Sequence, residues 1–159
     1  MSHVDVILEQ WKQQRPDLDL APMGLTSRLS RIARHLSTAL EQGFTEHGLN
    51  MASFDVLATL RRAGPPYRLS PGKLIDNTLV TSGTMTNRIN QLVKSGFVER
   101  IANPEDGRSI LIALTPRGLK KIDSALIDHV RNLQRLTQVL NDREFKELDR
   151  SLKRYLNML

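Results

Sequence analysis

Apolar residues recur along most of this chain at intervals of three and four, the spacing that lines one face of an α-helix. Val4, Ile7, Leu8 and Trp11 stand at i, i+3, i+4 and i+7. They predict a short amphipathic helix over 4–14, stopped by Arg15-Pro16. Such a helix is too short to hold alone in water and must dock elsewhere. Asp17 to Met23, with Pro22 and alternating acids, reads as a linker. Leu25, Leu29, Ile32, Leu36, Leu40 and Phe44 then keep helical period, predicting a long helix from Thr26 or a neighbour to about Glu46, with Gly48 as its stop. Asn50 can cap the next helix, Met51 to about Arg62, with Phe54, Leu57 and Leu60 inward. Gly64-Pro65-Pro66 breaks the pattern, and Tyr67-Arg68-Leu69 is a candidate short strand.

The stretch from Ser70 to Gly118 is the densest in signals. Ser70-Pro71 supplies an N-cap followed by a first-turn proline. From Thr81 to Ser95, Met85, Ile89, Leu92 and Val93 form a buried stripe. At about 100° per residue the opposite side carries Thr84, Thr86, Asn87, Asn90, Gln91 and Lys94, with no carboxylate among them. That surface suits either an ordinary solvated helix or one lying against base edges and phosphates. Gly96 stops the helix, Phe97 to Ile101 reads as a strand, and Ser109 to Leu114 as a second, β-branched strand. Between them Asn103-Pro104-Glu105-Asp106-Gly107 is turn chemistry, in which Pro104 sets φ and Gly107 is placed to take a positive φ. Arg108 follows the tip, where a long cation can reach a minor groove. Helix, turn, helix and basic hairpin together predict a winged helix-turn-helix.

Past the hairpin, Thr115-Pro116 opens a helix of about six turns with Leu119, Ile122, Leu126, Val130, Leu133 and Leu140 on one face. Asn141-Asp142-Arg143-Glu144 resembles a capping box. The last helix carries Phe145, Leu148, Leu152, Leu156 and Leu159 on one stripe. The expected fold is mainly α with a small β-hairpin wing. Residues 1–48 form N-terminal helices, 49–115 the winged lobe and 116–159 C-terminal helices. Apolar stripes outside the winged centre need a partner surface, and a two-fold homodimer is the commonest closed solution.

Composition narrows the function. The 159 residues hold 23 Lys plus Arg against 17 Asp plus Glu, a net charge of +6. That balance favours a polyanion, nucleic acid above all, as partner. The chain has no cysteine, which excludes disulfides, zinc fingers and thiol nucleophiles. His3, His35, His47 and His129 show no ligand spacing, so neither a metal nor another cofactor is expected. No nucleotide-binding glycine motif, G-x-S-x-G or H-E-x-x-H is present, and the carboxylates are scattered over helix faces, so no enzyme is expected. No apolar run approaches a membrane span and no leader pattern opens the chain, giving a cytoplasmic expectation. Two classes remain: a dimeric DNA-binding regulator, or a winged-helix module that binds protein. The latter is favoured by an acidic helix face, which this one is not.

Asp106-Gly107-Arg108 followed by Leu114-Thr115-Pro116-Arg117-Gly118 resembles the wing of the MarR family of bacterial transcription regulators, and Thr81-Ser82-Gly83-Thr84-Met85-Thr86-Asn87-Arg88 resembles the opening of its recognition helix. The resemblance implies a homodimer joined through its terminal helices, each lobe reading half of a pseudo-palindromic double-stranded operator. It places Ser82, Thr84, Thr86, Asn87, Asn90, Gln91 and Arg108 on DNA. The N-terminal helix with Trp11, then Arg15-Pro16-Asp17-Leu18-Asp19, then Phe54 to Arg62, further resemble the urate-responsive branch of that family. That branch implies a repressor released by a small anionic aromatic ligand such as urate, held by Trp11, Asp55, Arg88 and Arg100. A different phenolic or aromatic acid is the alternative effector. Each of the four also has a plainer role: Trp11 as a packing anchor, Asp55 paired with Arg62, Arg88 on a phosphate, Arg100 on a strand surface. Arg88 lies about 85° from the centre of the buried stripe at 100° per residue, bordering the core. Gly107 departs from the arginine common in the wing of that branch.

Overall fold

The computed structural model describes residues 2–78 and 82–159, and of Ser82 and Gly83 the backbone alone. By internal packing the chain divides into two units, Met1–Leu40 and Glu41–Leu159.

The first unit holds α1 (His3–Gln14) and most of α2 (Ala21–Glu46). Ser2 caps α1 in a reciprocal box with Asp5: the Asp5 N–H donates to Ser2 Oγ and the Ser2 N–H to Asp5 Oδ2 (3.3 and 2.7 Å). The Ser2 hydroxyl donating to Asp5 Oδ2 (2.7 Å), the Ser2 N–H on the same oxygen and the Arg28 guanidinium 2.6 Å away hold the Asp5 carboxyl down at about 2. The Arg28–Asp5 pair ties α2 to α1. Gly24 permits the approach, since a Cβ there would stand 3.0 Å from Leu8 Cδ1. The expected linker over 17–23 is shorter than its composition suggests. α2 already begins at Ala21, whose N–H donates to Asp19 Oδ1 (3.0 Å), and Pro22 falls in the first turn, where the missing N–H costs nothing.

The second unit contains α3 (Met51–Arg62), β1 (Arg68–Leu69), α4 (Pro71–Asn77), α5 (Ser82–Lys94), β2 (Val98–Ala102), β3 (Ile110–Leu114), α6 (Pro116–Thr137) and α7 (Asp142–Leu156). Local chemistry accounts for the helix starts. Asn50, Ser70, Thr115 and Asn141 each accept a first-turn N–H, with prolines directly after Ser70 and Thr115 and the Glu144 box after Asn141. The core is built from Val56, Leu57 and Leu60 of α3, Leu74 of α4, Met85, Ile89 and Leu92 of α5, Val98, Ile112 and Leu114 of the sheet, and Ile122 and Ala125 of α6.

The sheet is antiparallel in the order β1-β3-β2, with Val98 opposite Leu114, Arg100 opposite Ile112 and Arg68 opposite Ala113. β3 is therefore central, and the wing is braced along its inner edge by β1. Gly96 (φ +71°) ends α5 in the left-handed region, and Thr115 closes the hairpin base by donating from its N–H to Phe97 O (3.1 Å) and from Oγ1 to Gly96 O (2.7 Å). At the tip the expectation for Gly107 fails: the glycines with positive φ among the described residues are Gly48, Gly64 and Gly96. The turn is closed by side chains instead. Asn103 Oδ1 accepts from the Glu105 N–H (3.1 Å), Asp106 Oδ1 from the Arg108 N–H (3.1 Å), and Asn103 Nδ2 donates to Ser109 Oγ (2.9 Å).

α6 buries Ile122 and Ala125 but leaves Leu126, Val130 and Leu133 open, and α7 buries nothing: Phe145, Leu148, Leu152 and Leu156 are all exposed. Beside the base of α6, His129 stacks on Phe44 and tilts against Phe54 (centroids 5.2 and 4.8 Å apart), and burial pushes its pKa down.

Candidate nucleic-acid interface

α5 is presented by α3 and α4. Leu74 is fully buried, and the C-terminal end of α4 is held from α3, with Thr59 Oγ1 donating to Asn77 O (3.5 Å) and Arg62 Nη2 donating to the same carbonyl. Residues 79–81 of the connecting turn, including Thr81 of the predicted helix opening, lie outside the described residues, as does the side chain of Ser82. From Thr84 onward the face is as the period predicts. Met85, Ile89 and Leu92 are buried, and Thr84, Thr86, Asn87, Asn90, Gln91 and Lys94 are exposed. α5 contains no carboxylate, and Lys94 supplies a cation in its last turn. A helix with such a face can donate to and accept from base edges without repelling phosphate. Arg108 is exposed at the hairpin tip, its backbone N–H fixed by Asp106.

The arginines bordering this face make specific bonds. Arg88 Nη1 donates to Ser53 Oγ on α3 (3.2 Å) and to Gln91 Oε1 (2.7 Å), while its Nε is buried without a hydrogen-bond partner. An orphaned guanidinium N–H beside the core is costly and suits an acceptor brought in from outside. Arg100 reaches from β2 back to α5, donating from Nη2 to Asn90 Oδ1 (2.5 Å). Asp55 is half-buried on α3. The structure thus brings Arg88 to Gln91 and Arg100 to Asn90, pairings that join two residues expected on ligand to two expected on DNA. Trp11 belongs to the first unit, on α1, and leaves 46% of its surface open. Arg61 pairs with Asp123 of α6 (2.7 Å), which raises its pKa, and lies over the Tyr67 ring.

Ser53 escaped the sequence reading. It is a buried polar residue in the first turn of α3, and its one visible signal was a serine where the apolar stripe of that helix turns inward. Of the two arginine–amide pairs, Arg88 and Gln91 stand at i, i+3 on one helix, a spacing visible in the sequence, whereas the pair of Arg100 with Asn90 carried no signal, because it forms only when the hairpin folds over α5.

A family model described as MarR family matches residues 47–109, from the end of α2 through α5 to the wing tip. The HTH-type transcriptional regulator PecS of Dickeya dadantii is 35% identical over 141 residues, covering 89% of this chain and 85% of that protein. The HTH-type transcriptional repressor YetL of Bacillus subtilis is 30% identical over 128 residues, 80% of this chain and 76% of its own. Among solved structures, a cysteine-to-serine mutant of MarR from E. coli complexed with operator DNA superposes with a TM-score of 0.72 at 25% identity, covering 92% of this chain and 97% of that one.

Proposed function

This chain belongs to the MarR family of transcriptional regulators, and from that membership we propose that it is a homodimeric, ligand-responsive DNA-binding regulator, a repressor that leaves its operator when a small anionic aromatic ligand such as urate binds. The observation that carries the DNA reading is the exposed, carboxylate-free face of α5 with the Arg108 tip beside it. In this reading residues 49–115 are the DNA-binding lobe, with Thr84, Thr86, Asn87, Asn90 and Gln91 in the major groove and Arg108 in the minor groove; Ser82 joins them by resemblance. The helices on either side join two copies. That assignment is supported by the open stripe of α7 and by Leu25 and Ile32, exposed along α2. The effector reading is supported by the partnerless Nε of Arg88, with Arg100 and Asp55 as further groups of the winged lobe, and Trp11 enters by resemblance.

The test is a titration of the protein against DNA from upstream of its own gene, followed by urate added to the complex while Trp11 fluorescence is recorded. Tight, salt-sensitive binding to that DNA over random sequence is expected. Arg108→Ala should lower affinity across all sequences and reduce the salt slope by about 1. Urate should quench Trp11 and release the DNA; a 100-fold release corresponds to about 2.7 kcal/mol of coupling. No preference over random DNA would overturn the regulator reading. Binding that millimolar urate leaves intact, with Trp11 unquenched, would overturn the effector reading alone.

A further inference from the structure

The two amides at the centre of the α5 face are each held by an arginine, and an arginine can only donate. The bond from Arg100 Nη2 therefore fixes Asn90 with Oδ1 turned to the guanidinium, and the bond from Arg88 Nη1 does the same for Gln91 Oε1. In both side chains the amino group takes the other end of the amide. Both residues are exposed, and neither amino group has a protein partner among the described residues. Charge-assisted bonds of 2.5 and 2.7 Å are strong, and they polarise the amide so that its N–H groups donate better.

We infer that Arg88 and Arg100 are positioning residues for sequence recognition: by holding the carbonyl ends of Gln91 and Asn90 they turn both amides into donor-only readers of DNA. A free Asn or Gln reads adenine with both ends, donating to N7 while its oxygen accepts from the N6 amino group. With the oxygen held by a guanidinium that mode is closed. What remains is donation to acceptors: guanine offers O6 and N7 and thymine O4, whereas adenine offers N7 alone, beside an N6 amino group that repels a second donor, so guanine and thymine are favoured over adenine. The operator positions under Asn90 and Gln91 are accordingly guanine or thymine, without selection for adenine. An anion that takes either guanidinium removes the clamp and frees the amide to rotate. That would couple an effector at Arg88 and Arg100 to base reading without any movement of α5.

The inference rests on the DNA-binding reading, and the experiment separates the two. Operators are selected from a randomised pool with wild-type protein, Arg100→Met, Asn90→Ala, the double variant and Arg100→Lys. Affinities are then measured on the selected site, on its single-base variants and on random DNA. These side chains are exposed, and circular dichroism confirms that each variant folds. The expected wild-type preference at the position that Asn90→Ala flattens is guanine or thymine. Arg100→Met should shift that one position toward adenine and lower affinity for the selected site by about tenfold, with little loss on random DNA. In the Asn90→Ala background the same substitution should change affinity less than about twofold, and Arg100→Lys should restore part of the preference. The clamp is refuted if Arg100→Met lowers affinity for selected and random DNA alike with preferences unchanged, as a plain phosphate contact would. It is refuted equally if wild type selects adenine at the Asn90 position. Failure of wild type to enrich any sequence overturns the DNA-binding reading itself, and the clamp with it.

Discussion

Gly118 offers the sharpest test of how the wing is held. It is buried in the first turn of α6, where the helix presses on the start of the wing. A Cβ built there would stand far inside van der Waals contact with the Phe97 carbonyl oxygen, 2.8 Å from the carbonyl carbon and 3.1 Å from the Phe97 Cα. Ordinary carbon–carbon contacts sit near 3.5–4.0 Å, so Gly118→Ala must drive the backbones apart by about 0.7 Å or more. Both surfaces are main chain, and no rotamer change relieves the clash. The movement also pulls on the bonds that Thr115 makes to Gly96 O and Phe97 O. Overpacking costs about 1–3 kcal/mol, and weakening one or two hydrogen bonds adds about 1 kcal/mol each. Against this, alanine gains about 1 kcal/mol over glycine in helix propensity. The clash wins, for a net loss of about 1–4 kcal/mol. Urea unfolding of the full-length protein measures it directly. A chain of this size should also melt about 2–16 °C lower, at about 2–4 °C per kcal/mol. The same variant should bind DNA more weakly under conditions where it stays folded, because β2 and Arg108 are carried by the displaced strand. Wild-type or higher stability for Gly118→Ala would show that propensity dominates, and the argument for a backbone contact at this point would fall.

Two further outcomes follow from the helices. Ending the chain before Asn141 removes Phe145, Leu148, Leu152 and Leu156, whose burial against a partner is worth about 1.5–3 kcal/mol each. Sedimentation should then find a monomer or an unfolded chain, and a DNA-binding dimer from that truncation would refute the role given to α7. The pKa of His129 is lowered by burial against Phe44 and Phe54, so the unfolded chain binds its proton more readily than the folded one. Stability should therefore fall as pH drops below about 6.5, the ordinary histidine value, and level off below the folded pKa. His129→Phe should lose that part of the pH dependence while keeping the lower-pH loss from Asp5, whose carboxyl is held at about 2 against an ordinary 3.8. An unchanged curve between pH 6.5 and 5 in that variant would refute the burial argument.

Much of the architecture was legible in the residues because it depends on neighbours within about four positions. Ser70-Pro71, Thr115-Pro116 and Asn141 with Glu144 start helices by bonding their own first turns, and the recurrence of Met85, Ile89 and Leu92 turns one side of α5 inward whatever it packs on. The exposed face of Thr84, Thr86, Asn87, Asn90 and Gln91 followed from the same arithmetic. Where the reading slipped, chemistry just outside the pattern decided. Asp19 takes up the Ala21 N–H and lets α2 start before Thr26, and Asn103 with Asp106 closes the hairpin tip that Gly107 was expected to turn. Other features depend on residues that meet only after folding. The bond from Arg100 to Asn90 needs the hairpin laid back over α5, the Ser53 contact of Arg88 needs α3 beneath it, and the demand for glycine at 118 comes from the carbonyl of Phe97. A hydrophobic period says which way a helix faces. It carries no information about which polar atom on a distant strand will reach that face, and that is why the orientation of the Asn90 amide had to come from the tertiary structure.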